Sequence, residues 1–306
     1  MKVQSKWFPK FAWSVLAYNL LVILWGAFVR ATGSGAGCGA HWPLCNGEVV
    51  PRPQQIETLI EFIHRVTSGI TLVTAVILVV WAWKIYSKHS KIRKAAASVI
   101  IFTLAEALAG AALVLFHLTG TDTSEARAVS IVVHLVITFM LLASLAVTAW
   151  WSSFGEPAQL SWRGKKIGLV LGAIAGMFLV GGSGAITALG DTLFPARSLM
   201  EGITQETDAA AHFLLRLRVI HPFIAISLGV YGYFVFRWLR EKIKTPLAQK
   251  MVNGVMILFG IQLLLGGFNV LLLAPVWMQV IHLLVSDLVW IGAVLVLWLL
   301  AGDPSV

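Results

Sequence analysis

The sequence predicts an all-α polytopic membrane protein of eight transmembrane helices, arranged as two pseudo-twofold-related four-helix bundles. Three observations carry this expectation. The 306 residues are 58% hydrophobic and 12% charged, whereas a soluble domain carries about 25% charged residues. Apolar runs near 11–30, 62–86, 95–117, 128–151, 166–188, 214–238, 251–273 and 276–300 are each long enough to cross hydrocarbon. The second half of the chain also repeats the first.

The N-terminal stretch MKVQSKWFPKFAWSVLAYNLLVILWGAFVR is basic, then apolar, like a signal peptide. Its apolar part is long enough to span, and no small-x-small cleavage pattern follows, so a retained first helix is expected. With the N-terminus inside, the inner segments hold Lys2, Lys6, Lys10, Lys84, Lys88, Lys91, Arg93, Lys94, Arg163, Lys165, Lys166, Arg237, Arg240, Lys242, Lys244 and Lys250. Arg30, Arg52, Arg65, Arg127, Arg197, Arg216 and Arg218 remain outside. This bias predicts a plasma-membrane protein with both termini cytoplasmic. It also accounts for the net charge of +9 without nucleic acid. Thirteen Trp fit interfacial anchoring. The two long loops, near 31–61 and 189–213, then face outward, and long ordered loops tend to be functional.

The repeat is visible residue by residue. EFIHRVTSGITLVTAVILVVWAW in the second run echoes RVIHPFIAISLGVYGYFVFRW in the sixth. SIVVHLVITFMLLASLAVTAW in the fourth echoes MQVIHLLVSDLVWIGAVLVLW in the eighth. Glu106 and Gly110 precede Gln262 and Gly266 by 156 residues, and Gly26 precedes Gly182 by the same interval. Four helices per repeat give both halves the same orientation. The expected units are 1–155 and 156–306.

His64, His134, His221 and His282 each sit near the start of an even-numbered run, hence at similar depth near the outer face. The repeat pairs His64 with His221 and His134 with His282, so each bundle gains two histidines on different helices. A lone His in a span is more often a packing residue. Four at matched depth suit axial ligation of haem between bundle helices. A di-metal carboxylate site needs more Glu-x-x-His motifs, and zinc needs three or four converging ligands. Arg65 and Arg218 neighbour these histidines and are read as propionate contacts. For Arg216, propionate contact and interfacial snorkelling stand level.

Glu61 and Arg218 occupy matching positions, each three residues before a histidine. One half therefore carries an acid where the other carries a base. Such an acid can move protons or stabilise a cationic intermediate; the plainer reading is an interfacial carboxylate paired with Arg65. Glu106, facing its repeat mate Gln262, reads as an inter-helix hydrogen-bonding group. Asp287 lies off the face of His282 and has no assigned role. His41, His89, His117 and His212 read as solvated, with His117 and His212 placed to gate access. In RATGSGAGCGAHWPLCNG, residues 30–47, Cys38 and Cys45 face an oxidising compartment, which favours a disulfide. A redox-active pair, or a metal site with His41, are the alternatives.

The TGSGAGC…WPLC loop, EFIHR at the start of the second run, and the histidines of the fourth, sixth and eighth runs together resemble haem A synthase across all eight helices. That resemblance implies oxidation of the C8 methyl of haem O to a formyl group through a hydroxymethyl intermediate. It implies that His64 and His134 flank the substrate haem, with Glu61 the essential acid. It implies that His221 and His282 bind a haem b cofactor and that Cys38 and Cys45 form a disulfide. A haem O synthase is then the expected physical or functional partner, with a membrane quinol or another carrier as the electron partner. The rival readings are a non-catalytic di-haem b cytochrome and a haem transporter or chaperone.

Overall fold

The computed structural model describes residues 6–52, 55–162, 164–208, 210–243 and 245–302. Lys2, Arg163 and Lys244 of the charge count lie outside these. The helices are α1 (Trp7–Ala31), α2 (Ile56–Ile85), α3 (Lys91–Leu115), α4 (Glu125–Phe154), α5 (Lys165–Leu193), α6 (Leu199–Thr207), α7 (Phe213–Arg218), α8 (Ile220–Lys242), α9 (Pro246–Leu271) and α10 (Val276–Gly302). Among the described residues, eight helical spans are long and apolar enough to cross a membrane, α7 and α8 together forming one of them. At 1.5 Å per residue, a helix of 25 residues reaches about 38 Å, more than a ~30 Å hydrocarbon core.

Local chemistry places the boundaries. The Ser124 side chain accepts from Arg127 N and caps α4, and Ser90 does the same for α3 through Ile92 N. Pro246 opens α9, where its missing N–H costs nothing. Pro222 explains the interruption at Val219: it has no N–H to donate to Arg218 O. The Thr187 hydroxyl approaches that carbonyl instead, at 3.5 Å. α2 begins six residues before the apolar run predicts. Glu57 sits in its first turn, where the helix dipole favours an acid although hydropathy does not.

Neighbouring helices close two rings, α1–α2–α3–α4 and α5–α8–α9–α10, which meet along α1, α4, α5 and α10. At this seam the Trp290 ring stacks on Phe139 with centroids 4.8 Å apart, and Phe178 meets Trp290 edge-on at 5.0 Å. Trp290 Nε1 donates to Phe139 O at 2.6 Å. Lipid tails are as apolar as these side chains, so tight packing and hydrogen bonds, not expulsion from water, hold the seam. The segment after α4 is strapped down at the end far from the histidines. Glu156 accepts from Ile92 N and from the Ser90 hydroxyl, and Lys91 Nζ donates to Pro157 O and Ala158 O.

At the other end, the loop after α1 folds onto the start of α2. Cys38 and Cys45 are joined by a disulfide. Gly37 lies so close to α2 that a Cβ there would stand 2.5 Å from the Glu57 backbone; only glycine allows that approach. The Thr58 hydroxyl donates to Gly37 O at 2.8 Å. Denatured under non-reducing conditions, the protein should resist alkylation at Cys38 and Cys45 until reductant is added, read as a mass shift. Free labelling of both before reduction would contradict the bridge.

Candidate functional site

All four histidines line one continuous cavity of about 1480 Å³, above the usual ~300–1,000 Å³ of a single small-molecule site. Its wall draws on both rings of helices, on Trp42 and Pro43 of the loop after α1, and on Leu199 of α6. His64 and His134 lie within electrostatic range of each other, as do His221 and His282.

Each imidazole rests against a glycine on the preceding transmembrane helix. A Cβ built on Gly26 of α1 would lie 2.9 Å from the His64 ring, and one on Gly184 of α5 would lie 3.0 Å from His221. Gly266 of α9 meets His282 at 3.3 Å, and Gly110 of α3 meets His134 at 3.6 Å. The expected counterpart of Gly26 was Gly182. The structure puts Gly184 in that place, while Gly182 faces Val132 of α4 at 3.3 Å. The register therefore shifts by two residues between α1 and α5, and Gly182 serves the seam between the halves.

A polar neighbour accompanies three of the four rings. Glu106 Oε2 lies 3.2 Å from His134 Nε2, and Glu106 Oε1 also accepts a short hydrogen bond from Thr138. Gln262 Nε2 lies 3.2 Å from His282 Nε2. Ser183 Oγ shares a 3.1 Å hydrogen bond with His221 Nδ1. Glu106 and Gln262 each stand four residues before the glycine under the same ring, so one helical face supplies both seat and partner. This spacing was present in the sequence, but its target became visible only in three dimensions. The Nδ1 atoms of His64, His134 and His282 are buried without a partner. Two pairs of imidazoles on the wall of one large cavity, each ring beside a glycine, could hold an iron porphyrin by its metal.

The charged groups differ between the halves. Glu61 is 4% exposed. Its Oε2 accepts from Cys38 N at 2.8 Å, and its Oε1 pairs with Arg65 at 2.5 Å. Arg65 NH1 also donates to His41 O and Leu44 O, so this guanidinium clamps the disulfide loop to α2. In the other half, Arg218 pairs with Asp191 at 3.0 Å and Glu206 at 2.6 Å, tying α7 to α5 and α6. Arg216 is exposed on α7. Glu61, Arg65 and Arg218 line the cavity. Two further arginines on its wall, Arg30 and Arg127, were not singled out from sequence. His41, His89 and His117 are exposed, and His212 caps α7 through Leu214 N. Asp287 is fully enclosed with neither carboxylate oxygen partnered; nothing in the structure explains it.

A family model for COX15-CtaA, described as cytochrome oxidase assembly protein, matches residues 9–294. The chain belongs to the COX15-CtaA family. Over 282 residues, 92% of the chain, it is 50% identical to a protoheme IX farnesyltransferase of Thermus thermophilus, of which it covers 46%. It thus spans about half the length of that relative. It is 41% identical over 129 residues to a heme A synthase of Alkalihalophilus pseudofirmus, covering 42% of this chain and 40% of that one. A heme A synthase of Bacillus cereus is 45% identical over 97 residues, 32% of this chain and 31% of that one. In this COX15-CtaA chain the four histidines and their glycine seats all fall inside the matched region.

The seats yield a graded expectation. Gly26→Ala and Gly184→Ala should displace rigid imidazoles, whereas Gly110→Ala needs no movement. Purified Gly184→Ala protein should bind less haem, with a shifted absorption maximum, while Gly110→Ala matches the parent. Equal spectra for all three variants would show that the seats do not position the rings.

Proposed function

We propose that this chain is a haem A synthase that oxidises the C8 methyl of haem O to a formyl group through a hydroxymethyl stage. The observation that carries the reading is the charge asymmetry between the two histidine pairs: the cavity wall holds the buried carboxylate of Glu61 in the first half, at the position where the sequence repeat puts Arg218 in the second. Family membership and the heme A synthase relatives support it.

In this reading residues 1–155 form the substrate bundle and residues 156–306 a pseudo-twofold-related cofactor bundle. His64 and His134 flank the substrate haem O, and His221 and His282 bind haem b. Of the arginines read from sequence as propionate contacts, Arg65 and Arg218 already hold carboxylates, and Arg216 stays a propionate candidate. A haem in the second half supplies one-electron chemistry when bound. The protein's own part is positional and electrostatic. Glu61 is fixed by Arg65 and Cys38 N, so its carboxylate presents a negative edge to the cavity without rotating away. Converting a methyl to a formyl group releases protons and electrons while one oxygen atom is added, and a held carboxylate can take up a proton or stabilise developing positive charge. The exposed apolar helix faces suit a farnesylated substrate that enters from the bilayer.

The name of the Thermus relatives, protoheme IX farnesyltransferase, supports a functional partner that makes haem O by farnesyl transfer. We place both termini on the cytoplasmic side of the plasma membrane and the haem sites toward the outer face, with a membrane quinol or another electron carrier as the electron partner. The similarity of the four glycine seats favours one second reading, a non-catalytic di-haem cytochrome. Mass analysis of extracted pigments separates the two: haem O, its hydroxylated form or haem A beside haem b supports the synthase, and haem b alone supports the cytochrome.

Glu61→Gln should retain haem b and the fold, because the change is isosteric, yet lower haem A formed per enzyme by roughly 10²–10⁴-fold, the usual worth of a proton-transfer group. Near-parental turnover would remove Glu61 from the mechanism. His221→Ala and His282→Ala should each lose tightly bound haem b while the protein still inserts. Unchanged haem b spectra in both would refute the ligand assignment.

A further inference from the structure

Arg127 is the third residue of α4 and only 3% exposed. Its NH1 donates to Gly120 O at 2.8 Å and Asp122 O at 2.6 Å. Its Nε is buried with no partner, and the side chain lines the cavity. Arg30 lies four residues beyond Gly26 on α1. Its NH1 donates to Ala188 O and Thr192 Oγ1, and its NH2 to Gln279 Oε1. The charges of Arg30 and Arg127 are close enough to repel. Asp191 acts electrostatically on Arg30, and Asp122 acts on Arg127. Among the described residues neither arginine forms an ion pair, whereas Arg65 and Arg218 already hold carboxylates. Arg127 is buried and Arg30 partly buried, each holding backbone carbonyls with a carboxylate only at longer range, and a guanidinium fork on a cavity wall matches a further carboxylate.

Position identifies the anion. Arg127 precedes His134 by seven residues, two turns outward on one face of α4 and about 10 Å along it. Ile131 and Leu135 line the cavity on the same stretch of α4. Haem carries both propionates on one edge of the ring. A cation about 10 Å from an imidazole that would face the iron is within reach of that edge. The position seven before His282 is Pro275, so the second half has no equivalent cation there.

We infer that Arg127, with Arg30 beside it, forms a carboxylate-binding site at the outer rim of the first-half cavity, and that its ligand is the propionate pair of a haem whose iron faces His134. This rests on the haem reading of the first histidine pair. It goes beyond that reading by fixing which edge of the substrate points outward.

The test compares protohaem with its dimethyl ester, which lacks the carboxylate charges. Each is titrated into the purified 306-residue protein with its resident haem retained, followed by the Soret difference spectrum. The parent should bind the free acid about tenfold or more tightly than the ester, as expected for hydrogen bonds to charged groups. Arg127→Gln should bring the free acid down toward the ester and leave the ester unchanged; Arg30→Gln should narrow the gap in the same direction. Equal parental affinity for acid and ester overturns the inference without need of any variant. So does full discrimination in Arg127→Gln, or equal loss of both ligands, which would leave Arg127 as a brace for the Gly120–Asp122 turn. His134→Ala separates the two levels. If added haem binds unchanged there, the haem reading itself fails. If binding is lost there while Arg127→Gln keeps its discrimination, only the carboxylate site fails.

Discussion

An imidazole inside a four-helix ring can stand beside a neighbouring helix only where that helix gives up its side chain. The four histidine–glycine contacts meet this condition at Gly26, Gly110, Gly184 and Gly266. Most of the site follows from it. The bare backbone lets the neighbouring helix approach, and the approach brings Glu106 or Gln262 within 3.2 Å of the ring one turn away. Hydrocarbon offers no water to polar groups, so these partners belong to the same solution as the glycines. Ser183 plays that part for His221.

The halves share this framework and differ in charge. His134 has a carboxylate partner where His282 has an amide. Glu61 is locked by Arg65 and the disulfide loop, whereas Arg218 is locked by two acids from α5 and α6. Partners that orient a metal's ligand also tune the metal, so two sites of one geometry need not have one chemistry. The disulfide belongs to this argument because Cys38 N is one of the two groups that hold Glu61.

Both histidine pairs open into a single cavity, although α1, α4, α5 and α10 pack tightly along the seam. Phe139, Phe178 and Trp290 fill that seam, and Arg30 bridges it by donating to both α5 and α10. Arg30, itself on the cavity wall, thus links the two rings beside the space they share.

The sequence by itself determined the eight spans and the four histidines at matching places, because length, hydropathy and helical periodicity are local properties. It also showed Glu61 opposite Arg218, since both align with a neighbouring histidine. The disulfide was favoured from the side of the membrane its loop was expected to face. Only the tertiary structure decided what those residues touch. Gly184 rather than Gly182 seats His221 because α5 and α1 differ in register by two residues, which equal spacing along the chain cannot reveal. Arg65 reaches the carbonyls of His41 and Leu44 because that loop folds back onto α2. Arg30 meets Ala188 and Gln279 across gaps of 158 and 249 residues. Contacts at such separations depend on how helices are packed, and packing is set by the summed fit of many side chains rather than by any one stretch of sequence.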